Sequence, residues 1–89
     1  MRVGIRAKPH EIQIARLEKG LSQGEVATAL GISRGYLSEI ESGNRGLSPA
    51  LARKICQLLG KKFGEIFEVV AISKIESRWK NERDGEKKV

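Results

Sequence analysis

The most constraining feature of this chain lies between residues 21 and 43. It holds two short apolar-patterned segments, each opened by a serine, with three residues between them. Ser22 precedes Gln23-Gly24-Glu25. In this S-x-x-E spacing the serine oxygen accepts the backbone N–H three residues on, and the glutamate returns to the serine N–H, so a helix start is fixed locally. Leu21 and Val26 stand where a hydrophobic staple forms. The spacing predicts a helix over Gln23–Leu30 with Val26, Ala27 and Leu30 turned inward. Gly31-Ile32-Ser33 then forms a turn, with Gly31 supplying a positive φ. Ser33 is a second N-cap with its own staple pair, Ile32 and Leu37. A further helix runs from Arg34 to Ser42, burying Leu37 and Ile40, and Gly43 stops it. Two capped helices with so short a link cross each other, and Ala27 is small enough to allow the crossing.

Weaker punctuation organises the rest. Residues 1–8 read as a basic arm. Pro9 fits a first helical turn, and a helix to Lys19 carries Ile12, Ala15 and Leu17 before Gly20. Ser48-Pro49 pairs an N-cap with proline at the first helical position. The helix it opens runs to Leu59, with Leu51, Ile55, Leu58 and Leu59 at helical spacing, and Gly60 ends it. A short fifth helix from Phe63 to Phe67 or beyond offers Phe63, Ile66 and Phe67 to the core. Val69–Ile72 suits a strand, whereas Ile72, Ile75 and Trp79 share one helical face, and a helix over Ile72–Lys80 is the preferred reading. The expectation is an all-α, five-helix domain over residues 9–68, a C-terminal extension over 69–80 and a polar, disordered tail over 81–89.

Composition narrows the function classes. The formal charge is +6, which favours polyanions such as nucleic acid or acidic lipid. The surplus sits at the ends: residues 1–10 carry Arg2, Arg6 and Lys8 and no acid, and residues 74–89 carry six bases against four acids. The single cysteine, Cys56, excludes an intrachain disulfide and a four-thiolate zinc site. It reads as a small hydrophobe of the fourth helix rather than a nucleophile. His10 is the one histidine and reads as exposed. Catalytic His-Cys pairs and metal clusters would need every candidate in the chain. Glycines fall singly or at helix ends, so there is no phosphate-cradling loop. No cofactor, metal or catalytic activity is expected. The first ten residues lack an apolar core for export, no run is long enough to span a membrane, and a reducing cytoplasm fits.

Leu21-Ser22-Gln23, Glu25-Val26-Ala27, Leu30-Gly31-Ile32-Ser33, Tyr36-Leu37-Ser38 and Ile40-Glu41-Ser42-Gly43 together resemble the phage-repressor helix-turn-helix, the lambda-repressor-like or xenobiotic-response-element type. Leu58-Leu59-Gly60 and Glu65-Ile66-Phe67 continue the register. Within the type, the small controller proteins of restriction–modification systems are similar over Arg34–Ser38 and Asn44-Arg45. The resemblance implies a five-helix domain that binds operators, usually as a dimer. It also implies a shielded structural salt bridge between Arg16 and Glu41. Gly24 and Gly35 depart from the pattern, each costing about 0.5–1 kcal/mol relative to alanine inside a helix. Gly35 either lets the recognition helix approach the groove closely or is merely tolerated.

The inward residues leave Arg34, Gly35, Ser38 and Glu39 on the outer face of the third helix as candidate base contacts. Arg34 opens that helix, the position that faces base edges in this motif, and its fork matches guanine O6 and N7. A solvated arginine or a phosphate contact is the alternative. Ser38 can donate to a base or phosphate. Glu39 either accepts from cytosine N4 or stays at the edge, repelled by phosphates. The start of the second helix, with Ser22 and the Gln23 amide, suits a phosphate. Ser33, Tyr36, Asn44 and Arg45 complete the candidate backbone contacts, with plain packing the alternative for Tyr36. Lys61 and Lys62 read as solvated. Arg2, Arg6 and Lys8 either reach along the duplex or are unstructured. Ile72, Ile75 and Trp79 read as a dimer contact, with packing on the fifth helix as the alternative. The expected function is a dimeric, double-stranded-DNA-binding transcription regulator, a repressor reading an inverted repeat. The competing reading is an antitoxin-like module that binds a protein partner through Ile72–Lys80, with DNA binding secondary.

Overall fold

The computed structural model describes residues 3–71. The chain runs β1 (Val3–Ala7), α1 (Glu11–Glu18), α2 (Gln23–Leu30), α3 (Arg34–Glu41), α4 (Pro49–Leu59), α5 (Phe63–Ile66) and β2 (Phe67–Ala71). The Ile72–Lys80 helix, its Ile72, Ile75 and Trp79 contact, and the 81–89 tail lie outside the described residues.

Local chemistry sets the helix boundaries. Ser22, Ser33 and Ser48 have extended backbones, and each side chain accepts the N–H of the residue three positions on, at 3.0–3.1 Å. At α2 the capping box closes, with the Ser22 N–H donating to Glu25 Oε1 at 2.8 Å. That bond, together with the serine hydroxyl, holds the Glu25 carboxyl below its ordinary range. Gly31 ends α2 at φ 74° and Gly60 ends α4 at φ 67°, left-handed geometry that costs glycine little. The first helix starts at Glu11, not Pro9, because His10 takes φ 70° and breaks the helical backbone.

The five helices enclose one apolar core. Ile12 of α1, Val26 and Ala27 of α2, Leu37 and Ile40 of α3, Ile55 and Leu59 of α4, and Ile66 of α5 are all buried. Leu17 and Phe63 stay outside, at 60% and 38% exposure. Phe63 instead tilts against Phe67 with ring centroids 5.4 Å apart, while Phe67 takes the core position at 1% exposure.

The termini correct the all-α expectation. Residues 3–7 are no free arm: β1 pairs antiparallel with β2, with Val3 opposite Ala71, Ile5 opposite Val69 and Ala7 opposite Phe67. The fold is mostly helical with a small two-stranded sheet, and Phe67 opens a strand where a continuing helix was expected. The cause is a period-two pattern split between two distant segments, 3–7 and 67–71. Val3, Ile5 and Ala7 share a sheet face with Phe67, Val69 and Ala71. That face enters the core at the Ala7–Phe67 end and emerges at the other, where Val3 and Val69 are 62% and 58% exposed. Among the described residues no helix is long and apolar enough to cross a membrane, and no group of three or more His, Cys, Asp or Glu side chains is arranged to hold a metal.

Candidate nucleic-acid interface

The orientation of α3 is set from behind. Arg16 of α1 and Glu41 at the end of α3 are both buried, with Nε–Oε2 at 2.9 Å and Nη2–Oε1 at 3.4 Å. Arg16 Nη1 also donates to the Leu21 carbonyl at 3.1 Å, and Gln23 Nε2 donates to Glu41 Oε1 at 3.2 Å. One network therefore joins α1, the start of α2 and the end of α3. A buried ion pair with its remaining valences filled locks geometry, and removal of either partner strands a charge.

Leu37 and Ile40 anchor α3 in the core, which leaves Arg34, Gly35, Ser38 and Glu39 exposed on its far side. The Arg34 stem lies over the start of α2: a Cβ added to Gly24 would sit 3.4 Å from Arg34 Cδ. Nothing lies within 4 Å of the corresponding point at Gly35, so bare backbone faces outward beside Arg34. Ser22 and Ser33 use an oxygen lone pair for capping and keep a hydroxyl hydrogen to donate. The Gln23 amide spends one hydrogen on Glu41, so its second hydrogen and the first N–H groups of α2 are what it can offer an anion. Glu25 shares that helix end, its Oε1 accepting the Ser22 N–H.

The loop after α3 forms a second cluster. Arg45 lies with its guanidinium carbon 5.4 Å from the Tyr36 ring centroid and its Nε 3.3 Å from Glu39 Oε1. Both charged side chains are more than half exposed, so the pair contributes about 1 kcal/mol at most. Tyr36 is half-buried against the core and acts as a platform for Arg45. Asn44 is exposed beside it, its N–H donating to the Glu39 carbonyl at 3.1 Å.

A polar cleft beside Ser38 brings in residues that sequence reasoning passed over as contacts. His10, Gln13 and Ser42 line it together with Gln23 and Glu41. Gln13 was findable, since it lies one position past Ile12 and so points away from the core-facing stripe of α1. Lys8 and Arg6 do not reach the outer face of α3. Lys8 Nζ donates to the Gly64 carbonyl and Arg6 Nη1 to the Gly43 carbonyl, at 2.6 and 3.3 Å. Cys56 is half-buried on α4, and burial followed by the nearby Glu65 charge pushes its thiol up, which suits an unreactive packing residue.

Comparison with known proteins agrees with this geometry. The helix-turn-helix family model matches residues 12–66, from α1 through α5. An HTH-type transcriptional regulator of Bacillus subtilis (strain 168), the uncharacterized YqaF, is 46% identical over 55 residues, which are 62% of this chain and 72% of that protein. The restriction–modification controller protein C.AhdI from Aeromonas hydrophila superposes with TM-score 0.57 at 30% identity, over 63% of this chain and 85% of that one. The clp gene regulator ClgR of Corynebacterium glutamicum gives TM-score 0.57 at 34% identity, over 62% of this chain and 58% of ClgR. With the crossed helix pair, its buried lock and these matches in agreement, the chain belongs to the helix-turn-helix family of DNA-binding transcription regulators.

Proposed function

We propose that this protein is a sequence-specific regulator that binds duplex DNA as a homodimer and represses transcription, with α3 in the major groove of an inverted-repeat operator. The observation that carries the reading is the outer face of α3. It is anchored from behind by Leu37, Ile40 and Glu41 and presents Arg34, Gly35, Ser38 and Glu39 to solvent. Arg34 reads a guanine through O6 and N7, Gly35 admits close approach, Ser38 donates one turn on, and Glu39 screens the edge. The start of α2 with Ser22 and Gln23 meets one phosphate, while Ser33, Tyr36, Asn44 and Arg45 meet the strand opposite. Two-fold pairing sets the α3 copies roughly 34 Å apart. Ile72, Ile75 and Trp79 supply the dimer contact, and the bacterial cytoplasm is the setting.

Selection on random duplexes tests this directly. The expected outcome is an enriched palindrome whose half-sites lie one DNA turn apart and whose binding falls steeply with salt. Arg34→Ala should then remove about 1–3 kcal/mol of discrimination at one base pair per half-site, leaving random-duplex affinity little changed. Equal losses on selected and random duplexes would rule out base readout by Arg34. The exposed Val3 and Val69 give the antitoxin-like reading its one specific support. A stoichiometric protein partner combined with no salt-sensitive DNA binding would favour that reading.

A further inference from the structure

The phosphate-facing loop after α3 is built against the amino-terminal strand rather than on α3 alone. The Leu47 N–H donates to the Ile5 carbonyl at 3.4 Å, so the loop's end makes an isolated antiparallel bridge with β1. Its two glycines lie where β1 passes closest. A Cβ at Gly43, whose φ is 81°, would stand 3.2 Å from the Ala7 carbonyl oxygen. A Cβ at Gly46 would stand 3.4 Å from the Ile5 carbonyl oxygen and 3.5 Å from Arg6 Nε. Between these contacts the Arg6 side chain enters the loop. Its Nη1 donates to the Gly43 carbonyl, the first backbone acceptor past Ser42, while its Nε is buried. A cation at that place also complements the negative end of the α3 dipole.

From this packing we infer that Arg6 is a positioning residue for DNA binding. It does not touch DNA; it holds the Gly43–Gly46 loop so that Asn44 and Arg45 meet the phosphate backbone. The inference rests on the reading of Arg45 as a phosphate contact. It makes the terminal β-ribbon part of the DNA-binding unit, because β1 carries Arg6 and β2 holds β1 in register.

A double-mutant cycle on the full chain tests it, with a random-sequence 20-bp duplex as probe and affinity measured across a salt series. Arg6→Met should weaken binding several-fold. It should also reduce the slope of log affinity against log salt by about 0.9 per subunit, the signature of one lost phosphate contact. A merely structural role would lower the active fraction and leave the slope alone. In an Arg45→Ala background, Arg6→Met should leave the slope unchanged and weaken binding less than it does alone, because only the uncharged Asn44 contact is left to support. Effects that multiply would show that Arg6 meets phosphate itself, and an unchanged Arg6→Met affinity would show that the loop needs no support; either overturns the inference. Arg6→Lys keeps the charge but not the forked donor, and should show the same slope change in a weaker form if Arg6→Met does not fold. If the unaltered protein shows no salt-sensitive binding, the DNA reading fails and this inference fails with it. If Arg45→Ala alone has no effect, only the loop's role and this inference fall.

Discussion

The α2–α3 pair and the β1–β2 ribbon are specified in opposite ways. In the helix pair the start and stop of each helix are encoded locally. Ser22 and Glu25 close a capping box across three positions, Gly31 turns the chain, and Ser33 restarts it. In the ribbon every instruction is remote. Val3, Ile5 and Ala7 have no reason to be extended until Phe67, Val69 and Ala71 lie alongside, some sixty residues later. Loop closure over such a separation is favourable only after the helical core has brought the ends together. The family match covers residues 12–66 and stops short of both strands, so the shared part is the locally encoded part.

Substitutions can break or sharpen this contrast. The largest effect is expected from Glu41→Ala, which strands the Arg16 guanidinium in the core. The predicted loss is about 3–5 kcal/mol in urea denaturation, and a loss below 1 kcal/mol would mean that the buried lock does not set the α3 angle. Phe67→Ala should also cost about 3–5 kcal/mol, because the root of the ribbon is a core position, while Val69→Ala in the exposed half should stay within about 0.5 kcal/mol. Equal, small effects at both positions would make the ribbon an appendage. Ser33→Ala removes one cap and should cost about 1 kcal/mol, measured as a lower Tm with unchanged ribbon amide exchange. Gly24→Ala runs the other way. It should raise stability by about 0.5–1 kcal/mol, while the new methyl comes into van der Waals contact with the Arg34 stem. Redistributed base preference at the Arg34 pair, without weaker random-duplex binding, would show that the bare helix start tunes recognition.

Legibility followed the same division. The outer face of α3 was readable because burial of Leu37 and Ile40 fixes where Arg34, Ser38 and Glu39 point once the helix starts at Ser33. Tyr36 was readable only as a choice between two roles. Its use as a platform for Arg45 depends on how the following loop folds back, and no local pattern encodes that. Arg6 and Lys8 were read as arm cations because charge is visible in a sequence and its destination is not. Carbonyls of Gly43 and Gly64 receive them, and both acceptors are set by tertiary placement.

By itself the sequence determined that there are five helices, the serine caps of α2, α3 and α4, the tight turn at Gly31 and the polar face of α3. Each follows from interactions within about one helical turn, which form wherever the chain is. Only the tertiary structure decided that β1 and β2 make a β-ribbon, that Phe67 rather than Phe63 enters the core, and that β1 backs the loop carrying Asn44 and Arg45. Those outcomes rest on pairings between distant segments, whose backbone donors and apolar faces find partners only after the core has assembled.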